Sequence, residues 1–401
     1  MHRSVAPAPR RPVLLRAVTA LAIAAVAAFA PRASAEEKPP AESSYAPPAG
    51  ENRVALTGYG EINFNRPTTN GAEAVMDLRR FVFGLLYRFD AKTKFVSEVE
   101  VEHAVSSAED PGEVEIEQAF IEYQFSEAFS GRAGLMLMPV GLLNENHEPT
   151  AYYGVERNFV ETAIIPSTWR EGGLQGVAAF GGLTLQAGLA TSFNLNNWTF
   201  AEGGEGRESP LGSIHQELAV ARAHDFAGFG AVNYRGIPGL LVGASGFAGR
   251  ASQGQPGTPT ATVSIWDVHA RWTPWRFDLS ALYTRGDISN TAALNAAPAA
   301  AGEPNLIPES FDGWYAQGAV RAWSSGDMAL APFVRYERFN TGRSFADLGP
   351  GVTPAALADE AVVTGGVNFY VTSGVVLKAD IQRFKEATER NRVDLGLGWS
   401  F

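Results

Sequence analysis

Cysteine is absent from this 401-residue chain and histidine numbers only six. No disulfide can form, and without CxxC or Cys/His spacings thiol redox chemistry and structural zinc are excluded. Basic residues are also scarce, 32 Lys and Arg against 43 Asp and Glu. Nucleic acid, whose phosphates demand basic surface, is therefore no partner. Catalytic constellations are missing too. Asn146-His147-Glu148-Pro149 lacks the second histidine of a zincin helix, and Gly243-Ala244-Ser245-Gly246 lacks the second glycine of a nucleophile elbow. Gly228, Gly230, Gly243 and Gly246 lead into no helix that would cradle phosphate; they read instead as easing curvature, allowing subunit contact or leaving room for an inward loop. Neither an enzyme nor a cofactor or metal is expected.

The N-terminus carries what export requires. Arg3, Arg10, Arg11 and Arg16 precede an apolar run from Ala17 to Ala30, and Ala33-Ser34-Ala35 forms a small-residue cleavage site. The run is shorter than the roughly 20 residues of a spanning helix. Residues 1–35 thus read as a secretory signal peptide cleaved after Ala35. Its removal leaves 27 basic and 43 acidic residues, a net of −16. Residues 36–52 are Pro-rich and polar, the composition of a flexible periplasmic leader.

From Arg53 the pattern changes to alternation at period two, about ten residues at a time, broken by connections that are alternately short and long. Val54, Leu56, Ile62 and Phe64 oppose Thr57, Tyr59, Glu61 and Asn63. Phe81, Phe83, Leu85 and Tyr87 oppose Arg80 and Arg88. Val99 and Val101 alternate with Glu98, Glu100 and Glu102, which cannot face lipid and are expected to face water. Sixteen such segments can be placed between residues 53 and 401. The expectation is an all-β fold, a transmembrane antiparallel β-barrel in the bacterial outer membrane, closed so that no backbone amide is left unpaired in lipid.

The chain stops on an alternating strand, with Val393, Leu395, Leu397, Trp399 and Phe401 against Asp394, Gly396, Gly398 and Ser400. This resembles the terminal strand of outer-membrane proteins, whose last aromatic is read by the barrel-assembly machinery; Leu397, Trp399 and Phe401 would be that signal. Trp266, Trp272, Tyr283, Trp314 and Tyr336 suit an aromatic girdle at the lipid interface.

One connection, about 139–173, is far longer than an ordinary hairpin loop and is rich in apolar and aromatic residues such as Tyr152, Tyr153, Phe159 and Trp169. It is expected to fold back into the lumen as the third external loop. Its polar residues Glu145, His147, Glu148, Tyr152, Glu156, Arg157, Glu161, Arg170 and Glu171 would form the constriction. Gly134-Leu135, Pro139-Val140-Gly141-Leu142, Arg157-Asn158-Phe159 and Trp169-Arg170-Glu171-Gly172-Gly173 resemble the phosphate-selective porin O/P family. Membership would imply a sixteen-stranded barrel, a homotrimer and an inward third loop.

That family's anion preference comes from a ladder of arginines and a cluster of lysines, and this chain departs from the pattern. The expected lumen wall mixes Arg80, Arg88, Arg132, Arg271, Arg321, Arg335 and Lys378 with Glu61, Glu98, Glu100, Glu102, Glu122, Asp267, Asp278, Glu337 and Asp380. Opposed rows of acid and base give a transverse field without a strong net preference. The expected function is passive diffusion of small hydrophilic solutes. An anion or phosphate channel, and a non-conducting barrel serving as adhesin or envelope tether, are the alternatives.

Overall fold

The computed structural model describes residues 53–401 apart from 108 and 111, so the signal peptide and the leader lie outside the described residues. Its strands are β1 (Val54–Pro67), β2 (Val75–Arg88), β3 (Thr93–Glu102), β4 (Val114–Ser126), β5 (Phe129–Leu137) and β6 (Arg170–Phe180). Next come β7 (Leu183–Thr191), β8 (Phe226–Ile237), β9 (Leu240–Arg250), β10 (Thr262–Trp272), β11 (Phe277–Ile288) and β12 (Ser310–Val320). The last are β13 (Trp323–Ser325), β14 (Met328–Ser344), β15 (Glu360–Thr372), β16 (Val375–Phe384) and β17 (Arg392–Ser400). Each pairs antiparallel with its neighbours, and three-residue β13 continues β12 along the edge of β14, which leaves sixteen crossings.

The sheet closes where β1 meets β17, from Tyr59 opposite Ser400 to Pro67 opposite Arg392. Phe401 extends the seam, accepting from the Gly58 amide at 3.0 Å and donating back at 2.8 Å. No edge remains to template another strand. Facing follows the sequence alternation: Phe81, Phe83, Leu395 and Phe401 lie on the exposed outer wall, whereas Tyr59, Glu61, Arg80, Glu98 and Asp394 are buried inside. Trp266, Trp272, Trp314 and Tyr336 are exposed on the outside, and the Trp266–Tyr283 and Trp314–Tyr336 ring pairs lie 5.5 and 5.3 Å apart.

Three features depart from the sequence reading. A bulge in the β3–β4 ladder, where Glu98 pairs Gln118 but Val99 pairs Ile116, inserts Glu117 as an extra residue and buries it completely. The connection at 192–225, expected to be merely long and polar, is turned inward. Phe193, Leu195, Trp198, Leu211 and Ile214 are buried there, beside Phe247 of β9 and Phe311 of β12. The Ala-rich connection 289–309 also carries an unexpected helix, Thr291–Ala300.

Candidate functional site: a loop seated inside the barrel

The connection between β5 and β6 crosses the lumen and is held by the wall on several sides. Gly141 begins it in a left-handed conformation (φ 81°), its amide donating to Asp267 of β10 at 3.0 Å. A Cβ at that glycine would sit 2.5 Å from the Glu161 carboxylate, so the tight entry needs glycine. Glu161 organises the loop from within. It accepts from the amides of Leu142 and Leu143 (2.5 and 2.8 Å), from Asn158 (2.9 Å) and from the Tyr315 hydroxyl of β12 (2.9 Å). Burial pushes this carboxyl above its ordinary range although four donors pull it down.

Against β1, β2 and β4 the loop is held by ionisable groups. The Tyr59 hydroxyl donates to Glu117 at 2.7 Å and meets the His147 ring at 2.6 Å, while Arg80 donates to the His147 carbonyl at 2.6 Å. Arg80 also pairs with Glu61 at 2.8 Å, and Glu61 accepts from the Tyr152 hydroxyl at 2.7 Å. On the β14–β17 wall, Asp380 accepts the Val155 amide at 2.6 Å, Asn368 the Gly154 amide at 3.2 Å and Glu337 the Phe159 amide at 2.5 Å. Arg335 donates to the Tyr153 carbonyl at 3.1 Å, and the Lys378 ammonium lies 3.6 Å from the Tyr152 ring centroid. Thr150 reaches Ser400 at 2.9 Å.

Room for that passage comes from β17. A Cβ on Gly398 would meet Pro149 at 2.6 Å and one on Gly396 would meet Val155 at 3.3 Å. Gly228 and Gly230, considered from sequence as room for the loop, have no loop atom near them. The loop leaves through an apolar anchor: Val160, Ile164, Ile165 and Trp169 are all buried. Trp169 stacks on Phe193 (5.1 Å, 23°) and meets Phe247 edge-on (4.7 Å, 61°).

The structure brings most of the sequence-predicted residues together. Arg80, Glu98, Glu100, Glu122, Asp267, Arg335, Lys378 and Asp380 are buried on the inner wall. Arg132 pairs with Glu122 at 2.7 Å and Arg271 with Asp278 at 2.6 Å. Arg88 and Arg321 stand at the short-turn end and Glu102 at the opposite end, away from the loop. Of the loop residues, Glu145 accepts from Gln186 at 2.9 Å, Glu156 from Asn65 at 3.2 Å, and Arg157 donates to Ser167 at 2.7 Å. Glu148 lines the cavity beside His147. Burial raises the Glu145 carboxyl, and burial followed by the Arg80 charge lowers Arg157.

Two expectations need correction. Arg170 and Glu171 belong to β6 rather than the loop: Arg170 pairs with Glu115 and Glu217 at 2.5 and 3.0 Å, and Glu171 accepts from Thr191 at 2.5 Å. Strand pairing with Leu137 and Met136 fixes them, so neither hangs in the lumen. Glu98 and Glu100 do not face open water either, each being only 2% exposed. Tyr59, Glu117, Tyr315 and Asn368 were not singled out as site residues from sequence. Inward parity marks Tyr59, Tyr315 and Asn368, whereas the bulge at Glu117 has no periodic signal.

These features define the fold, a closed, sixteen-stranded antiparallel barrel like that of porins. No family model matches the chain. A protein of Aquifex aeolicus (strain VF5) described as uncharacterized is 29% identical over 358 residues, covering 87% of this chain and 80% of that one. Among solved structures, Salmonella typhi OmpF in complex with daunomycin superposes with a TM-score of 0.59 at 14% identity, over 87% of this chain and 97% of the other. The outer membrane channel DcaP of Acinetobacter baumannii gives 0.54 at 13% (87% and 97% covered), and an anion-selective porin from Comamonas acidovorans 0.54 at 11% (87% and 99%). At these identities the likeness is one of fold.

Proposed function

We propose that the chain is an outer-membrane channel through which small hydrophilic solutes diffuse passively. The observation that carries this reading is a long segment seated by charged and hydroxyl side chains inside a closed barrel. A wall that merely anchored the chain would not need its interior divided in this way. Export by a signal peptide cleaved after Ala35, recognition of Leu397, Trp399 and Phe401 by the assembly machinery, and a homotrimer in the membrane complete the proposal.

Weak charge selectivity follows from pairing. The lumen arginines Arg80, Arg132, Arg271 and Arg335 each have their own carboxylate, Glu61, Glu122, Asp278 and Glu337. A paired guanidinium presents little net field to a passing ion. The phosphate-selective reading rests on the motif segment 134–173 and lacks an unpaired cationic ladder to support it. Purified protein in planar bilayers should pass ions in discrete steps, with a small reversal potential in a salt gradient whether or not phosphate is present. Insertion without current would leave the adhesin or tether reading, and a strong anion preference would restore the phosphate one.

A further inference from the structure

At the short-turn end two cavities of different acid content border the seated loop, and Arg235 stands on both. One, about 400 Å³, lies between the loop and the β8–β14 wall; the other, about 250 Å³, lies against β3–β10. Five carboxylates line the second cavity: Glu98, Glu122, Glu127, Glu145 and Glu148. Among the described residues none lines the first, where Arg235, Arg271 and Arg335 supply the charge; Arg235 also borders the second, with Lys94 and Arg132. Arg335 is held by Glu337 and the Tyr153 carbonyl, and one edge of Arg271 is held by Asp278. Arg235 is different: it makes no ion pair among the described residues, and it lies within electrostatic range of Arg271. Glu145, the acid whose field reaches it, is already bonded to Gln186.

Arg235 therefore lacks an anion, and the edge of Arg271 that Asp278 leaves open lines the same cavity. The remaining surface specifies which kind. Leu142, Leu143, Ile237, Leu240 and Leu241 form an apolar side. The rings of Tyr152, Tyr153 and Tyr315 line the same space, while their hydroxyls are spent on Glu61, Asp278 and Glu161. An inorganic ion would give up its hydration to leucine side chains for little return, whereas a carboxylate on an apolar or aromatic body matches both surfaces. We propose that this cavity is a binding subsite for organic monocarboxylates with an apolar body, with Arg235 and Arg271 receiving the carboxylate. Its place on a solute's path rests on the channel reading; the binding itself does not.

Calorimetry of the full chain in detergent, with sodium benzoate as probe and benzylamine and inorganic phosphate as comparisons, tests it. Benzoate should bind at least tenfold more tightly than either comparison. R235Q should weaken it about tenfold, R235K less because an ammonium keeps the charge but not the fork, and R235E should reverse the order of benzoate and benzylamine. Arg235 is exposed and loses no bond on substitution, so these variants should fold. Equal binding of benzylamine, phosphate as tight as benzoate, or an unchanged R235Q would each overturn the subsite. Benzoate binding in a protein that carries no current would overturn the channel and leave the subsite standing.

Discussion

The loop is gripped by two unlike surfaces. Toward β1–β4 and β14–β17 it meets Arg80, Glu61, Lys378, Asp380 and Glu337, a wall of ionisable and hydrogen-bonding groups. Toward β6–β12, at the long-loop end, it meets Phe193, Phe247, Leu211 and Ile214, an apolar plug contributed partly by the second inward connection. Charged contacts cost much of their gain in desolvation and fix geometry more than they stabilise. Apolar burial stabilises directly and is insensitive to pH or salt. The difference assigns anchoring to Trp169 and its neighbours, and placement of the loop across the lumen to the polar wall.

Breaking the apolar side should have the larger effect. Trp169→Ala removes a fully buried ring with two aromatic partners, an expected loss of about 3–5 kcal/mol. A urea melt in detergent should show it, accompanied by faster amide exchange across 192–225. A melt unchanged from wild type would mean the plug does not anchor the loop.

On the polar side the effects should be smaller and should appear in the current. Glu161→Gln keeps the shape but replaces one acceptor oxygen with an amide facing donors, so about 1–3 kcal/mol of loop stability is expected to go. Its channel should be noisier than wild type, with Tyr315→Phe in between. Gly398→Ala places a methyl against Pro149 and should push the loop from β17 by about 1 Å, changing conductance while the melt moves by less than for Trp169→Ala. Conductance equal to wild type in both would separate the loop from the permeation path.

The smallest effect is a pH dependence in the 192–225 connection. His215 and Glu217 lie 3.3 Å apart, and Glu217 also pairs with Arg170 at 3.0 Å. Burial alone would lower His215, but Glu217 raises it overall; burial alone would raise Glu217, but His215 and Arg170 lower it overall. The raised histidine stabilises fully below its ordinary value of 6.5 and loses that stabilisation as pH rises through its folded value. The lowered glutamate stabilises above its ordinary 4.5 and loses it as pH falls through its folded value. Protection of 192–225 from exchange should therefore be greatest between about pH 4.5 and 6.5 and weaken on either side. His215→Gln should flatten the alkaline arm; an unchanged profile in that variant would contradict the pairing.

Much of this was legible in sequence because a barrel repeats one physical rule. Lipid on one side and water or protein on the other force period-two alternation, so Arg80, Asp267 and Asp380 could be placed inside from parity alone. The inward course of the long loop was legible from Tyr152, Phe159 and Trp169, too apolar for an exposed connection. What escaped has equally physical causes. Glu117 is displaced by a bulge, which breaks the period that parity depends on. Phe193, Trp198, Leu211 and Ile214 are irregularly spaced among polar residues, so no period reveals that they pack together. Arg170 and Glu171 precede Gly172-Gly173, whose turn-like composition masks a strand beginning. The uneven spread of carboxylates between the two cavities depends on which wall each side chain shares, which a list of lumen residues does not contain.

The most direct test of the central claim uses the absence of native cysteine. Thr150 on the loop and Ser400 on β17 have their hydroxyl oxygens 2.9 Å apart. A Thr150→Cys/Ser400→Cys double variant, oxidised in the folded barrel, should form a disulfide, leaving no thiol that a polar maleimide can label. Two thiols that stay free and both react would place the loop away from the inner wall and contradict its seating inside the barrel.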